Sequence, residues 1–396
     1  MTSNLIPTYA PPNVVFERGV GMYLFDADGK PWLDFIAGIA VNALGHCHPA
    51  LTSALHEQAD KLWHVSNMFE VPMREQLAAK YCQSTFAELV FFTNSGTEAI
   101  EGLLKAARRF HFDNGEPERI EILTFDGAFH GRSYGAINAG GNPAYLKGFG
   151  PDMTGFKQLP FADEQAFVEA ISKTTAAVLI EPVQGEGGVR AASNAFLQLL
   201  RAKCDEVGAL LLFDEIQCGA GRTGKLFAHQ WADIEPDGMA VAKGVGGGFP
   251  LGGFLLTQRV GQHMVVGTHG STYGGNPLAM AVGIALWDEI SKPEILENVI
   301  TVGDFLKQQL ARLADEFSDI VLESRGKGLL LGLKLHENFV ARDIAGIARE
   351  HGLLIGAAGD NVIRMAPPLI LTEDHAREAI AKLEQSLTAA RGSEGA

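Results

Sequence analysis

Five short apolar runs, separated by helix-like stretches, constrain the fold of this 396-residue chain more than any other feature. They span residues 89–93, 120–125, 177–180, 209–213 and 239–242. Each run is too short for an independent helix, and most are continuously apolar, which is typical of strands covered on both faces.

Two of the intervening stretches carry helix signals. The stretch 97–110 places four apolar side chains on one helical face, at Ile100, Leu103, Leu104 and Ala107. The stretch 194–207 lies between Ser193, a candidate N-cap, and Gly208, a candidate C-terminal stop. Strands that alternate with helices predict an α/β fold with a central, mostly parallel sheet and helices on both faces.

The length predicts two or three domains, at roughly 150 residues per domain. We expect a large central domain at 56–290 and a smaller α+β domain built from both chain ends, 1–55 and 291–396.

Composition excludes several classes of partner. The 47 acidic residues outnumber the 32 basic ones, so the chain lacks the basic footprint of a nucleic-acid binder. The sequence contains no apolar run of about 18 residues and no secretory leader pattern, so we expect no membrane segment. The four cysteines are scattered, and a reducing cytoplasm fits them best.

Polar, glycine-rich segments follow all five runs. Because ligands of open α/β sheets bind beyond the carboxyl ends of the strands, these segments predict one shared active site. The segments are NSGTE (94–98), DGAFHGR (126–132), EPVQGEGG (181–188), DEIQ (214–217) and KGVGGG (243–248).

Three of these segments indicate specific chemistry. Ser95-Gly96-Thr97 begins a predicted helix and could cradle a phosphate, or Ser95 or Thr97 could merely cap that helix. Asp214 ends an apolar run and needs a cationic or strongly donating partner. Lys243 also ends an apolar run, where a confined amine becomes nucleophilic; a simple Lys243–Asp214 ion pair is the alternative.

Two further motifs are misleading. The stretch 219–224 spells GxGxxG, but Leu226 stands where a P-loop needs Ser or Thr, and no helix clearly begins at Gly224. A nucleotide-binding oxidoreductase or ATPase is therefore disfavoured. The GHCH turn at 45–48 lacks further spaced ligands, so we expect no metal site.

The motifs together resemble the class III, fold-type I, pyridoxal-phosphate-dependent aminotransferases. The resemblance covers nearly the whole chain in the right order. It rests on DFIAGIAVNALGHCHP (34–49), SGTEA (95–99), FHGR (129–132), EPVQGEGG (181–188), DEIQ (214–217), AKGVGGGFPLG (242–252), GSTYGGNPL (270–278) and IRMAPP (363–368).

The resemblance implies a cofactor site for pyridoxal 5'-phosphate. Lys243 would bond to the cofactor aldehyde and later shuttle a proton, while Asp214 would pair with the protonated pyridine nitrogen. Gln217 would donate to the ring phenolate oxygen. Phe129 would stack on the ring, and its neighbour His130 would also belong to the cofactor site. The phosphate would be held by Ser95, Gly96 and Thr97. Thr272 would reach the phosphate of the other subunit, which implies a homodimer with shared sites.

The resemblance also implies how the substrates bind. Arg132 would take the carboxylate far from the reacting carbon, and Arg364 the α-carboxylate of glutamate or 2-oxoglutarate. Glu186 would neutralise Arg364 while the amino donor is bound; a surface ion pair is the alternative interpretation. Tyr9 and Ser271 complete the substrate residues.

The expected reaction moves the distal amino group of N2-acetylornithine to 2-oxoglutarate, as in arginine biosynthesis. Ornithine aminotransferases carry a tyrosine at the position of Ile39, and isoleucine offers the substrate's α-amino group no partner. An acylated amine is therefore favoured, with succinylornithine, ornithine and 4-aminobutyrate as alternatives.

Overall fold

The computed structural model describes residues 4–393. Its strands, numbered in chain order, are β1 (Phe16–Val20), β2 (Tyr23–Asp26), β3 (Pro31–Asp34), β4 (Leu89–Thr93), β5 (Glu121–Phe125), β6 (Phe156–Leu159), β7 (Thr175–Ile180), β8 (Val183–Gln184), β9 (Arg190–Ala191), β10 (Leu210–Asp214), β11 (Gly238–Val241), β12 (Gly252–Leu256), β13 (Val321–Lys327), β14 (Leu330–Leu335), β15 (Leu353–Leu354), β16 (Gly356–Ala358) and β17 (Val362–Met365).

The helices are numbered in the same way. They are α1 (Ala37–Ala40), α2 (Pro49–Ala59), α3 (Pro72–Ser84), α4 (Gly96–Asp113), α5 (Tyr134–Gly140), α6 (Pro143–Leu146), α7 (Glu164–Ala170), α8 (Asn194–Val207), α9 (Gln258–Gly261), α10 (Pro277–Ile290), α11 (Pro293–Glu316), α12 (Ala341–Glu350) and α13 (Glu373–Ser393).

A seven-stranded sheet forms the centre of the fold, in the order β4-β12-β11-β10-β7-β5-β6. Strand β12 runs antiparallel to both of its neighbours, whereas the β11-β10-β7-β5-β6 pairs are parallel. The predicted mostly parallel α/β sheet is therefore confirmed, and the five predicted runs are strands within one or two residues. The sequence analysis missed β6 and β12, an edge strand and a strand that opens with two glycines.

Helix α4 packs closely on this sheet because a glycine faces it. Gly102 lies in the middle of α4, and a Cβ atom placed there would lie 2.2 Å from the Phe254 ring of β12. The predicted caps of α8 are also confirmed. The Ser193 hydroxyl accepts a hydrogen bond from the Phe196 amide at 3.0 Å, and Gly208 is left-handed with φ of 75°.

The two chain ends meet in a second group of sheets. The N-terminal strands form the sheet β1-β2-β3-β15, in which β3 pairs with a C-terminal strand in parallel. Strands β13-β14-β17-β16 form another sheet, against which α11 and α12 pack. Strand β17 carries Arg364 toward the central sheet.

In the described range 4–393, no helix combines the length and apolar character needed to cross a bilayer. The four cysteines are free, and Cys204 and Cys218 are buried.

Two helical glycines give a matched test of this packing. Gly102→Ala should destabilise the fold by about 1–3 kcal/mol, because the added methyl collides with Phe254. Gly346→Ala in α12, where the nearest neighbour would be 3.5 Å away, should stabilise by up to about 1 kcal/mol. Urea unfolding of both variants measures the difference, and equal shifts would contradict this packing.

Candidate active site

A cavity of about 460 Å³ lies at the carboxyl ends of the central strands. Most of its polar lining follows β4, β5, β7, β10 and β11, as the strand pattern predicts. The predicted residues that line it are Ser95, Gly96, Thr97, Phe129, His130, Arg132, Asp214, Gln217 and Lys243.

The amino end of α4 forms one wall of the cavity. The Ser95 hydroxyl caps the helix by accepting from the Glu98 amide at 3.4 Å, so the capping interpretation holds for this side chain. The first-turn amides of a helix have no intrahelical acceptor, and those of Gly96 and Thr97 are in that position. The same end of the helix can therefore be capped and still receive an anion.

Asp214 supplies a buried negative charge at the end of β10. Its side chain is 2% exposed and accepts from His130 Nδ1 at 2.7 Å and from the Ile216 amide at 3.0 Å. The structure thus pairs Asp214 with His130 rather than with Lys243. The other ring nitrogen of His130, Nε2, is buried with no hydrogen-bond partner in the described chain.

Lys243 begins a one-turn 3-10 helix, one residue after β11. Its backbone is left-handed, with φ of 48°, a strained conformation for a residue with a side chain. Burial lowers the pKa of the Lys243 amine, although the nearby Glu186 carboxylate opposes the shift. A larger fraction of this amine is therefore neutral and nucleophilic at a given pH than for a free lysine.

Arg364, Glu186 and Gln217 form a polar cluster beside Lys243. Arg364 Nη1 donates to Glu186 Oε1 and, at 3.0 Å, to Gln217 Oε1; Gln217 Nε2 donates to Glu186 Oε1 at 3.3 Å. Burial raises the pKa of Glu186, but the charge and hydrogen bond of Arg364 outweigh it and leave the pKa low. The pair is mostly buried, which disfavours the surface ion pair as its interpretation.

Arg132 has a different environment. Its guanidinium lies 3.7 Å from the centre of the Tyr145 ring and 5.7 Å from that of Phe129. Among residues 4–393 it has no ion-pair partner, and its side chain is exposed. An unpaired guanidinium beside a cavity is suited to bind a carboxylate.

Glu181 also lines the cavity, and the sequence analysis did not select it. Its carboxyl is buried and accepts from the Phe129 amide at 3.2 Å. Burial and the nearby negative charge of Asp214 raise its pKa well above the ordinary value. Its position directly after β7 was the available signal, because the same rule selected Asp214 after an apolar run.

Six predicted residues do not line this cavity; two of them, Glu186 and Arg364, contact its lining residue Gln217. Tyr9 is 89% exposed, and Ile39 is 46% exposed with φ of 69°. Thr272 is exposed, and Ser271 lies beside the cavity, where its hydroxyl accepts from Asn94 Nδ2 at 3.4 Å. Their roles in substrate or partner binding stay predictions.

The GxGxxG stretch has a structural role. Arg222 is fully buried, and its Nη1 donates to the carbonyls of Leu329 and Pro367. Bends follow at 224–227, and a short 3-10 helix begins only at Ala228. In residues 4–393 no three His, Cys, Asp or Glu side chains are grouped as metal ligands, and His46 pairs with Asp34 at 2.8 Å.

Comparison with known proteins decides the family. A family model for class III aminotransferases matches residues 7–387. The chain belongs to this family. Class III aminotransferases act with pyridoxal phosphate and pair an amino donor with a keto acid. The fold-type I architecture expected from the resemblance is confirmed.

Relatives with high identity carry related names. The chain is 54% identical to acetylornithine aminotransferase 2 of Caulobacter vibrioides, covering 98% of this chain and 96% of that one. It is 52% identical to the acetylornithine aminotransferase of Agrobacterium fabrum, covering 97% of each chain.

Two solved structures are also similar. An ornithine aminotransferase from Toxoplasma gondii superimposes with a TM-score of 0.95 at 29% identity, covering 98% of this chain and 94% of that one. The N-acetylornithine aminotransferase from Stenotrophomonas maltophilia superimposes with a TM-score of 0.85 at 39% identity, covering 97% of this chain and 98% of that one.

The buried arginine of the GxGxxG stretch gives a test of its role. Arg222→Ala should destabilise the fold by about 3 kcal/mol or more, because it opens a cavity and leaves two buried carbonyls without donors. Arg377→Ala, which removes an exposed ion pair, is the control and should change stability by less than about 1 kcal/mol. Thermal unfolding measures both. A rise in Tm with NAD or ATP, of the size that pyridoxal phosphate produces, would restore the nucleotide-binding interpretation.

Proposed function

We propose that this aminotransferase moves the distal amino group of N2-acetylornithine to 2-oxoglutarate, giving N-acetylglutamate 5-semialdehyde and glutamate. The reaction would serve arginine biosynthesis in the cytoplasm. Support comes from the relatives at 49–54% identity that are named acetylornithine aminotransferases.

The cavity fits pyridoxal phosphate by its donor set. A buried carboxylate, a nucleophilic amine and an anion-binding helix end meet in it, and Phe129 offers an aromatic face. The Ser95, Gly96 and Thr97 groups would hold the phosphate, and Asp214, positioned by His130, would face the ring nitrogen. Gln217 would approach the ring oxygen after leaving its contact with Arg364. The bound group supplies an aldehyde for the substrate amine and a ring that withdraws electrons.

Lys243 would anchor this group and then hold and return the proton of the substrate carbon. Its lowered pKa favours the neutral amine that both tasks require. The Asp214 carboxyl is held in place because His130 and the Ile216 amide both donate to it.

The two arginines carry the substrate proposal. Arg364 is covered by Glu186 and Gln217, whereas Arg132 is unpaired within the described chain. An amino donor with no carboxylate beside its reacting amine suits the arrangement in which Glu186 and Gln217 cover Arg364. The single carboxylate of this donor would bind to Arg132. The keto acid 2-oxoglutarate has two carboxylates and would draw Arg364 away from Glu186.

The same site favours an acylated amino donor over the alternative substrates. An acyl group removes the second ammonium that ornithine would bring, and Ile39 provides no partner for one. Tyr9 and Ser271 would approach the substrate from the edge of the site. Values of kcat/KM for acetylornithine, succinylornithine, ornithine and 4-aminobutyrate separate the candidates.

We also propose a homodimer in which Thr272 reaches the phosphate of the other subunit. Large apolar side chains are exposed around the Thr272 loop, at Trp63, Met68, Phe69 and Tyr273. Asn67 Nδ2 donates to the Ser271 carbonyl at 2.9 Å, which joins this surface to the loop. Several large apolar side chains exposed near one loop favour a protein partner.

Lys243→Ala tests the anchor. The variant should fold and bind pyridoxal phosphate without a covalent link, and turnover should fall by roughly a thousandfold or more. Borohydride reduction followed by peptide mass analysis should place the cofactor on Lys243 in the wild type only. Lys225→Ala is the control and should keep the label; cofactor on Lys225 would move the anchor there.

Glu186→Ala tests the covering of Arg364. Arg364 would then always accept α-carboxylates, so glutamate and 2-oxoglutarate should react at least as well as before. Acetylornithine would bind by its α end, and its selectivity relative to glutamate should fall by roughly 10-fold or more.

Stopped-flow measurement of each half-reaction gives the two rates separately. Glu323→Ala, which removes an exposed carboxylate from Arg325, is the control. An equal loss in both half-reactions would show that Glu186 does not discriminate between the substrates.

A further inference from the structure

The segment FHGRSYG (129–135) packs around the first two turns of α4. Gly131 has φ of 126°, and a Cβ atom there would lie 2.4 Å from Thr97 Oγ1. A Cβ atom at Gly135 would lie 2.6 Å from Glu101 Oε2. The segment can approach α4 this closely only because both positions lack side chains.

Ser133 lies between these two contacts and joins them by hydrogen bonds. Its hydroxyl is 2.7 Å from Thr97 Oγ1 and donates to Glu101 Oε1 at 2.6 Å. Its amide donates to Thr97 Oγ1 at 3.2 Å. The Gly135 amide also donates to Glu101 Oε1, at 2.9 Å. One carboxylate thus holds two points of the segment, and Arg132 precedes the first of them.

The direction of these hydrogen bonds follows from the number of hydroxyl hydrogens available to donate. An ionised carboxylate only accepts, so the single Ser133 hydroxyl hydrogen goes to Glu101. Thr97 must then donate its own hydroxyl hydrogen to Ser133 Oγ. Within residues 4–393 the Ser95 hydroxyl only accepts, from the Glu98 amide, which leaves its hydrogen for a ligand. At the cavity wall Thr97 therefore offers a backbone amide, and Ser95 offers a hydroxyl.

We propose that Ser133 and Glu101 are positioning residues that lock the phosphate-binding end of α4 to the segment carrying Arg132. This inference rests on the proposed cofactor and substrate sites. Because one hydrogen-bond chain holds both parts, loosening it weakens phosphate binding and distal-carboxylate binding together. The chemical step, which depends on Lys243 and Asp214, changes little.

Ser133→Ala tests the lock through binding of pyridoxal phosphate and of pyridoxal, which lacks the phosphate. Fluorescence titration of the full chain should show about 5- to 20-fold weaker binding of pyridoxal phosphate, the range expected for a lost charge-assisted hydrogen bond. Pyridoxal binding should change less than about twofold. At saturating cofactor, KM for 2-oxoglutarate should rise by a similar factor with kcat within about twofold.

A double-mutant cycle tests the direction of the chain. Thr97→Val and Ser133→Ala break the same bond, so their effects on pyridoxal phosphate affinity should be far from additive. Ser95→Ala and Ser133→Ala should be nearly additive. Ser133→Thr, which keeps the hydroxyl, should restore most of the affinity. Ser53→Ala removes an exposed Ser–Glu hydrogen bond of 2.9 Å and is the matched control.

Several outcomes would overturn the proposal. Equal losses for pyridoxal and pyridoxal phosphate would indicate general loosening of the fold, and additive Thr97 and Ser133 effects would place the Thr97 hydroxyl on the phosphate. If Ser133→Ala fails to fold, Glu101→Gln replaces it. The losses of affinity for pyridoxal phosphate and for pyridoxal are compared in the same way, and a smaller loss for pyridoxal phosphate than with Ser133→Ala is expected. If the wild type binds pyridoxal phosphate but does not use acetylornithine, the substrate proposal fails while the affinity ratio still decides the role of Ser133.

Discussion

A buried negative charge at the end of β10 is the constraint on which the rest of the site depends. Asp214 is almost fully removed from water, and an unpaired charge there would cost several kcal/mol. His130 provides the compensating hydrogen bond from a segment that follows β5, two strands away in the sheet. That bond fixes the segment whose neighbouring side chains, Phe129 and Arg132, line the cavity.

The site is completed from outside the central sheet. Strand β17 belongs to a separate sheet, and it delivers Arg364 to Glu186 and Gln217 of the central unit. The guanidinium therefore bridges two parts of the chain. The strained backbone at Lys243 lies beside this cluster and is held by the surrounding buried turn.

Much of this site was predictable because parallel strands deliver their following residues to one edge. Asp214, Lys243 and the 95–97 segment were found by that rule, and the cavity contains all of them. Strand β12 was missed since its first two residues are glycines, and its antiparallel direction depends on pairing with β4 and β11. Glu181 obeys the same rule, but its burial and its hydrogen bond from the Phe129 amide depend on tertiary packing.

The sequence by itself determined the strand pattern, the edge of the sheet that carries the chemistry and the residue types available there. Apolar periodicity and strand ends are local properties, so a single chain can reveal them. The tertiary structure decided which groups pair: Asp214 with His130, Arg364 with Glu186, and Glu101 with Ser133. These partners are separated by tens to more than a hundred residues, and only packing brings them within hydrogen-bond distance.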